Sequence, residues 1–93
     1  MEKILEKSVT RYLLACIEDN YVWYVKVQYD KVPNQFVANK RISLVTDITD
    51  ATKCTKRSMA EMLREDYLKA YGENASEVVI LPLVIDYSLI KEI

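Results

Sequence analysis

Apolar and polar positions alternate most regularly across residues 21–29. Tyr21, Trp23, Val25, Val27 and Tyr29 share one face there, and Val22, Tyr24, Lys26 and Gln28 the other, the period of two that marks a half-buried strand. Upstream, residues 9–17 are mostly β-branched, aromatic or aliphatic and predict a strand, and the polar Glu18, Asp19 and Asn20 that follow favour a tight turn. Downstream, the proline-containing stretch 30–34 predicts a reversal. A weaker alternation with Phe36, Ala38, Ile42 and Leu44 in phase predicts a third strand over 36–45. Three such strands in succession make an antiparallel meander.

The period then changes. Residues 46–54 are rich in Thr and Asp, which hydrogen-bond to nearby backbone and favour turns and helix starts, so this stretch reads as a connector with room for one helical turn. Thr55 suits an N-cap, and Ser58 with Glu61 three residues on offers an alternative start through a capping box. Met59, Leu63, Tyr67, Ala70 and Tyr71 form one stripe at helical spacing, which predicts an amphipathic helix over 55–71. Gly72 is placed to end it in a left-handed conformation. Residues 77–90 return to strand character. The segment 78–85 is apolar on both faces, implying cover on both sides, while Pro82 cannot donate to a ladder and belongs at an edge or a bulge. Residues 1–7 read either as a helical turn or as a tail.

The expected fold is α+β: an antiparallel sheet of about four strands in the order β-β-β-α-β, with one main amphipathic helix packed on one face, in a single domain over residues 1–93. One helix covers one face. Val78, Ile80 and Val84 are expected on the other, and an exposed apolar patch of that kind marks an interface. Homodimerisation through the sheet is the corresponding expectation.

Composition narrows the chemistry. With 51% hydrophobic and 29% charged residues, the 93-residue chain has enough apolar surface for one core. One glycine excludes a phosphate-cradling Walker loop or a dinucleotide fingerprint, each of which needs several. The absence of histidine removes the commonest general base, the commonest metal ligand and every Ser-His or Cys-His pair. Cys16 and Cys54 are in no metal or redox spacing and read as free, buried thiols. The first residues lack the basic and apolar regions of a secretory signal, and no apolar run is long enough to span a membrane. A cytoplasmic protein without cofactor or metal is expected.

Charge is uneven along the chain. Residues 31–58 carry six basic and two acidic groups, and residues 59–93 carry three and seven. Lys53, Lys56 and Arg57 at the expected helix start repel the positive end of the helix dipole. With Lys40 and Arg41 they are candidates for an anion or nucleic-acid patch, against the plainer reading of a solvated helix end. Asp47 and Asp50, an i, i+3 pair among threonines, read as turn and cap residues rather than an acid/base or metal pair. The seven tyrosines and Trp23 invite a base-stacking platform, but their phase with Val25 and Val27 makes core the simpler reading.

The run Thr46-Asp47-Ile48-Thr49-Asp50-Ala51-Thr52-Lys53, between a tyrosine-rich meander and a Thr-capped helix, resembles small uncharacterised proteins encoded by phages and prophages of Gram-positive bacteria. In those, an aromatic commonly follows Ala-Thr-Lys and packs beneath the helix. Cys54 stands in its place here. The resemblance implies a small accessory or anti-host protein in the host cytoplasm that binds a host protein such as a defence component. It carries no catalytic residue across. The leading expectation is therefore a non-enzymatic interaction protein, and the alternative is a nucleotide or nucleic-acid binding module using the basic patch.

Overall fold

A computed structural model describes residues 2–31, 38–72 and 77–92. Strands β1 (Glu2–Glu18), β2 (Tyr21–Lys31) and β3 (Ala38–Val45) are followed by a 3₁₀ turn (Ile48–Asp50), helix α1 (Arg57–Tyr71) and strand β4 (Val78–Lys91). The strands form one four-stranded antiparallel sheet in the order β3-β2-β1-β4. The fold is thus α+β in the expected order, with the meander as anticipated. The β1–β2 turn places Asp19 at φ 52°, a left-handed conformation that Asp tolerates. The predicted reversal at 32–34 and Phe36 of the predicted third strand lie outside the described residues.

The largest departure is at the start of the chain. Residues 2–8 are neither a helical turn nor a tail but the first part of β1, a strand of 17 residues. Their partner is the far end of β4, with Ser8 opposite Asp86, Lys7 opposite Tyr87 and Leu5 opposite Leu89, and a register shift between Lys3 and Leu5. Pro82 occurs in β4, an edge strand, as predicted.

Helix α1 begins two residues later than expected. Lys56 is the N-cap position and supplies no side-chain cap. The Thr55 hydroxyl instead donates to Met59 Sδ at 3.3 Å, and Ser58 lies inside the helix, so neither predicted cap operates. The buried stripe is Ala60, Leu63 and Tyr67, while Met59, Ala70 and Tyr71 are exposed. The stripe is rotated toward Ala60, whose small side chain lets the helix backbone approach the sheet. Gly72 ends the helix at φ 76°, ψ −170°, donating its N–H to the Leu68 carbonyl at 2.8 Å. Its φ is positive as predicted, but its ψ is extended rather than that of the left-handed helix region.

Two clusters form the core, one on each face. Leu14, Val25, Cys54, Ala60, Leu63, Tyr67 and Val78 pack between sheet and helix. Leu13, Ala15 and Ala51 pack on the opposite face. The connector reaches both because β1 and β2 diverge: they pair from Glu18↔Tyr21 only as far as Ala15↔Tyr24. Residues 52–54 occupy the split. The Thr52 N–H donates to the Val25 carbonyl (3.0 Å) and Thr52 Oγ1 accepts from the Val27 N–H (2.8 Å). Cys54 bonds Tyr12 of β1 in both directions at 2.7 and 2.9 Å. The connector thereby satisfies backbone groups that the divergence would otherwise leave unpaired. Arg64 ties the helix to β4, its Nε donating to the Val78 carbonyl at 2.9 Å.

Candidate functional site

Beyond the split, residues 2–11 of β1 pair, among the described residues, with β4 alone. The result is a two-stranded ribbon projecting from the helix-covered body. The radius of gyration is 16.7 Å, against roughly 12 Å for a compact chain of this length.

Antiparallel partners project to the same side of a sheet, so the register assigns each ribbon face. Leu5, Leu89, Tyr87, Val9, Ile85, Leu83, Leu13 and Leu81 run along the face opposite α1, interrupted by Lys7 and Arg11. Leu5, Tyr87 and Leu89 at its outer end are 53%, 54% and 55% exposed. On the helix side the same ribbon carries Glu6, Ser8, Thr10, Asp86 and Ser88, with Val84 and, at the outer end, Ile90 as apolar exceptions and Ile4 exposed at the register shift. Ser8 Oγ donates to Asp86 there. The ribbon is therefore amphipathic, with its apolar side turned away from the helix.

Its edges are blunted. Tyr12 aims both backbone groups at Cys54, so opposite it Pro82 turns its nitrogen away from β1, toward the open edge of β4. A donor is missing at that edge at no cost to the ladder. On the inner edge of β1, Arg11 Nη1 donates to the Thr10 carbonyl at 3.1 Å.

The predicted interface residues divide differently. Val78 is 2% exposed and Ile80 packs against the same cluster under α1, so both belong to the covered face. Val84 shares their phase but lies beyond the helix, 61% exposed on the polar side of the ribbon. Val79 and Leu81, expected to be covered, are exposed on the open face. Both sets are apolar, and only the position of the helix distinguishes them.

The candidate basic residues do not converge. Lys40 and Arg41 are consecutive in β3 and point to opposite faces. Lys40 pairs with Asp66 of α1, which raises the lysine pKa and lowers that of the aspartate through their hydrogen bond. Arg41 donates to Gln28 Oε1 at 3.0 Å. Lys53 donates to the Thr49 and Ala51 carbonyls at 2.9 and 3.0 Å. Arg57 lies 3.8 Å from Glu61, and Lys56 is exposed at the helix start.

Lys40 and Lys53 do share an open groove of about 440 Å³ between α1 and the sheet, with Val27, Tyr29, Met59, Met62, Cys54 and Asp66. Burial pushes the Cys54 thiol pKa up, which disfavours the thiolate a nucleophile requires. Asp47 accepts from both the N–H and the hydroxyl of Thr49 at 2.9 and 2.7 Å, which lower its pKa. It is the cap of the 3₁₀ turn, in keeping with its turn-and-cap reading. Among the described residues, no three Cys, Asp or Glu side chains cluster as metal ligands, and no helix is long and apolar enough to cross a membrane.

No family model, curated protein or solved structure matches the chain.

Proposed function

We propose that this chain is a small non-enzymatic interaction protein that engages its partner through the apolar face of the β1–β4 ribbon. One observation carries the reading: Leu5, Val9, Ile85, Tyr87 and Leu89 line a single face of a two-stranded ribbon that no described element covers. A two-stranded ribbon alone in water is at best marginally stable and needs a further layer on its apolar side. A patch of this kind, bordered by polar residues, is the usual mark of a contact surface. An accessory role against a host protein would use the same face. Dispersal of Lys40, Arg41 and Arg57 into separate contacts favours this reading over nucleic-acid binding, which draws its affinity from converging cations.

The test is cross-linking in the producing cell, followed by purification of wild type, Leu89→Glu and Val84→Glu. The reading predicts a stoichiometric cross-linked product with wild type and Val84→Glu that is lost with Leu89→Glu. Identical products from all three proteins would refute it.

A further inference from the structure

Resting on that reading, we infer that the occupant of the apolar ribbon face is a second copy of this chain, its ribbon stacked antiparallel to the first about a two-fold axis. The area supports it first. The chain exposes 7372 Å², whereas a compact monomer of its mass exposes roughly 5,500 Å². Hiding the excess on two copies would bury roughly 3,700 Å² in all, within the range of obligate homodimers, and half of that still makes a standard interface.

Shape and charge select the orientation. The outer end of the face carries the bulky Leu5, Tyr87 and Leu89, and its inner end the smaller, still exposed Val79, Ala15 there being buried under Ala51. Antiparallel stacking sets the bulky end of one ribbon on the small end of the other, at the spacing of about 10 Å usual for packed sheets. Lys7 projects from this face near its outer end, and Arg11, opposite Leu83 on the same face, folds its guanidinium back onto the Thr10 carbonyl at the inner edge of β1. At the inner end Ala51 packs on Leu13 and Ala15, which brings the acidic 3₁₀ turn with Asp50 to the same side. The same stacking places Lys7 of each copy toward Asp50 of the other. Blunting of the edges by Pro82 and Arg11 opposes the rival mode, strand addition along the ribbon.

Analytical ultracentrifugation of the wild-type chain over a wide concentration range tests this, with isotope-filtered NMR on a mixture of labelled and unlabelled wild-type protein. The expected results are a mass twice the 10.8 kDa chain mass and intermolecular contacts at the methyls of Leu5, Ile85 and Leu89. Leu89→Glu should weaken the dimer on the order of 100-fold, the loss expected of a buried interface side chain, and Val84→Glu should leave it intact. Lys7→Glu and Asp50→Lys should each weaken it about two- to five-fold, as exposed pairs do, and restore it when combined in one chain. Because the NMR contacts are read on wild type, a variant that fails to fold does not remove the test. A wild-type monomer at high concentration overturns the second copy; the interaction reading survives that result if Leu89→Glu still abolishes the product cross-linked in the cell. Intermolecular contacts confined to Val84 and Thr10, or to the strand edges, overturn the stacking.

Discussion

Replacing Thr52 with Val tests how the divergent halves of the sheet are held together. The two side chains are nearly the same shape, so the substitution keeps the volume between β1 and β2 and removes only the hydroxyl. Thr52 Oγ1 accepts the Val27 N–H at 2.8 Å, and both residues are half-buried. The substitution leaves that N–H without its partner, at a cost of about 1–3 kcal/mol. For a domain of this size the melting temperature should fall by roughly 5–20 °C. Thr52→Ser restores the acceptor and gives up one half-buried methyl, at a cost under about 1 kcal/mol. Urea unfolding at a fixed protein concentration, followed by far-ultraviolet circular dichroism, separates the two. The expected order of stability is wild type, then Ser, then Val. A Val variant as stable as wild type, with Ser lower, would mean that the methyl and not the hydroxyl holds the connector in place.

Gly72→Ala should destabilise by about 1–3 kcal/mol through backbone strain alone, because an added Cβ meets nothing within 4 Å while φ stays at 76° and ψ at −170°. Gly72→Asn should recover little in the same unfolding assay, since Asn is tolerated chiefly in the left-handed helix region. Burial, with a lesser contribution from the Cys16 thiol bonded to its oxygen, raises the Tyr67 pKa. The folded phenol holds its proton more tightly than the unfolded one, so stability is full below the ordinary tyrosine value and is lost as pH rises through the folded-state value. Tyr67→Phe should flatten that alkaline decline in a series of urea midpoints. Asp47, with its pKa lowered by Thr49, works in the opposite sense. The midpoint difference between wild type and Asp47→Ala should be full above the ordinary carboxylate value and shrink as pH falls through the folded-state value.

Local signals located most elements. Alternation over residues 21–29, the helical stripe beginning near Met59, and Gly72 at the helix end all report short-range geometry, and each marks a real feature of the fold. What was hidden is non-local. The stretch Glu2-Lys3-Ile4-Leu5-Glu6-Lys7 carries too much charge to read as a strand by itself, and it becomes one by pairing with residues at the far end of the chain. The exact helix phase depended on Ala60, which is small enough to allow close approach to the sheet. An apolar count weights larger neighbours such as Met59 above it. For the site, the two phases of β4 could be separated by alternation, but both are apolar. Which one is open follows from where α1 lies, with Val78 beneath it. The basic residues lie close together in sequence, but strand alternation separates Lys40 from Arg41.

Solvent paramagnetic relaxation of the leucine methyls in the wild-type protein asks whether the open ribbon face is open in solution. In the isolated chain Leu5 and Leu89 are 53% and 55% exposed. If the face is a contact surface occupied by a second copy, a soluble paramagnetic agent should relax both methyls as weakly as it relaxes those of Leu13 and Leu14, which are buried. Strong relaxation of Leu5 and Leu89 at protein concentrations high enough for NMR would mean that no second copy covers the face.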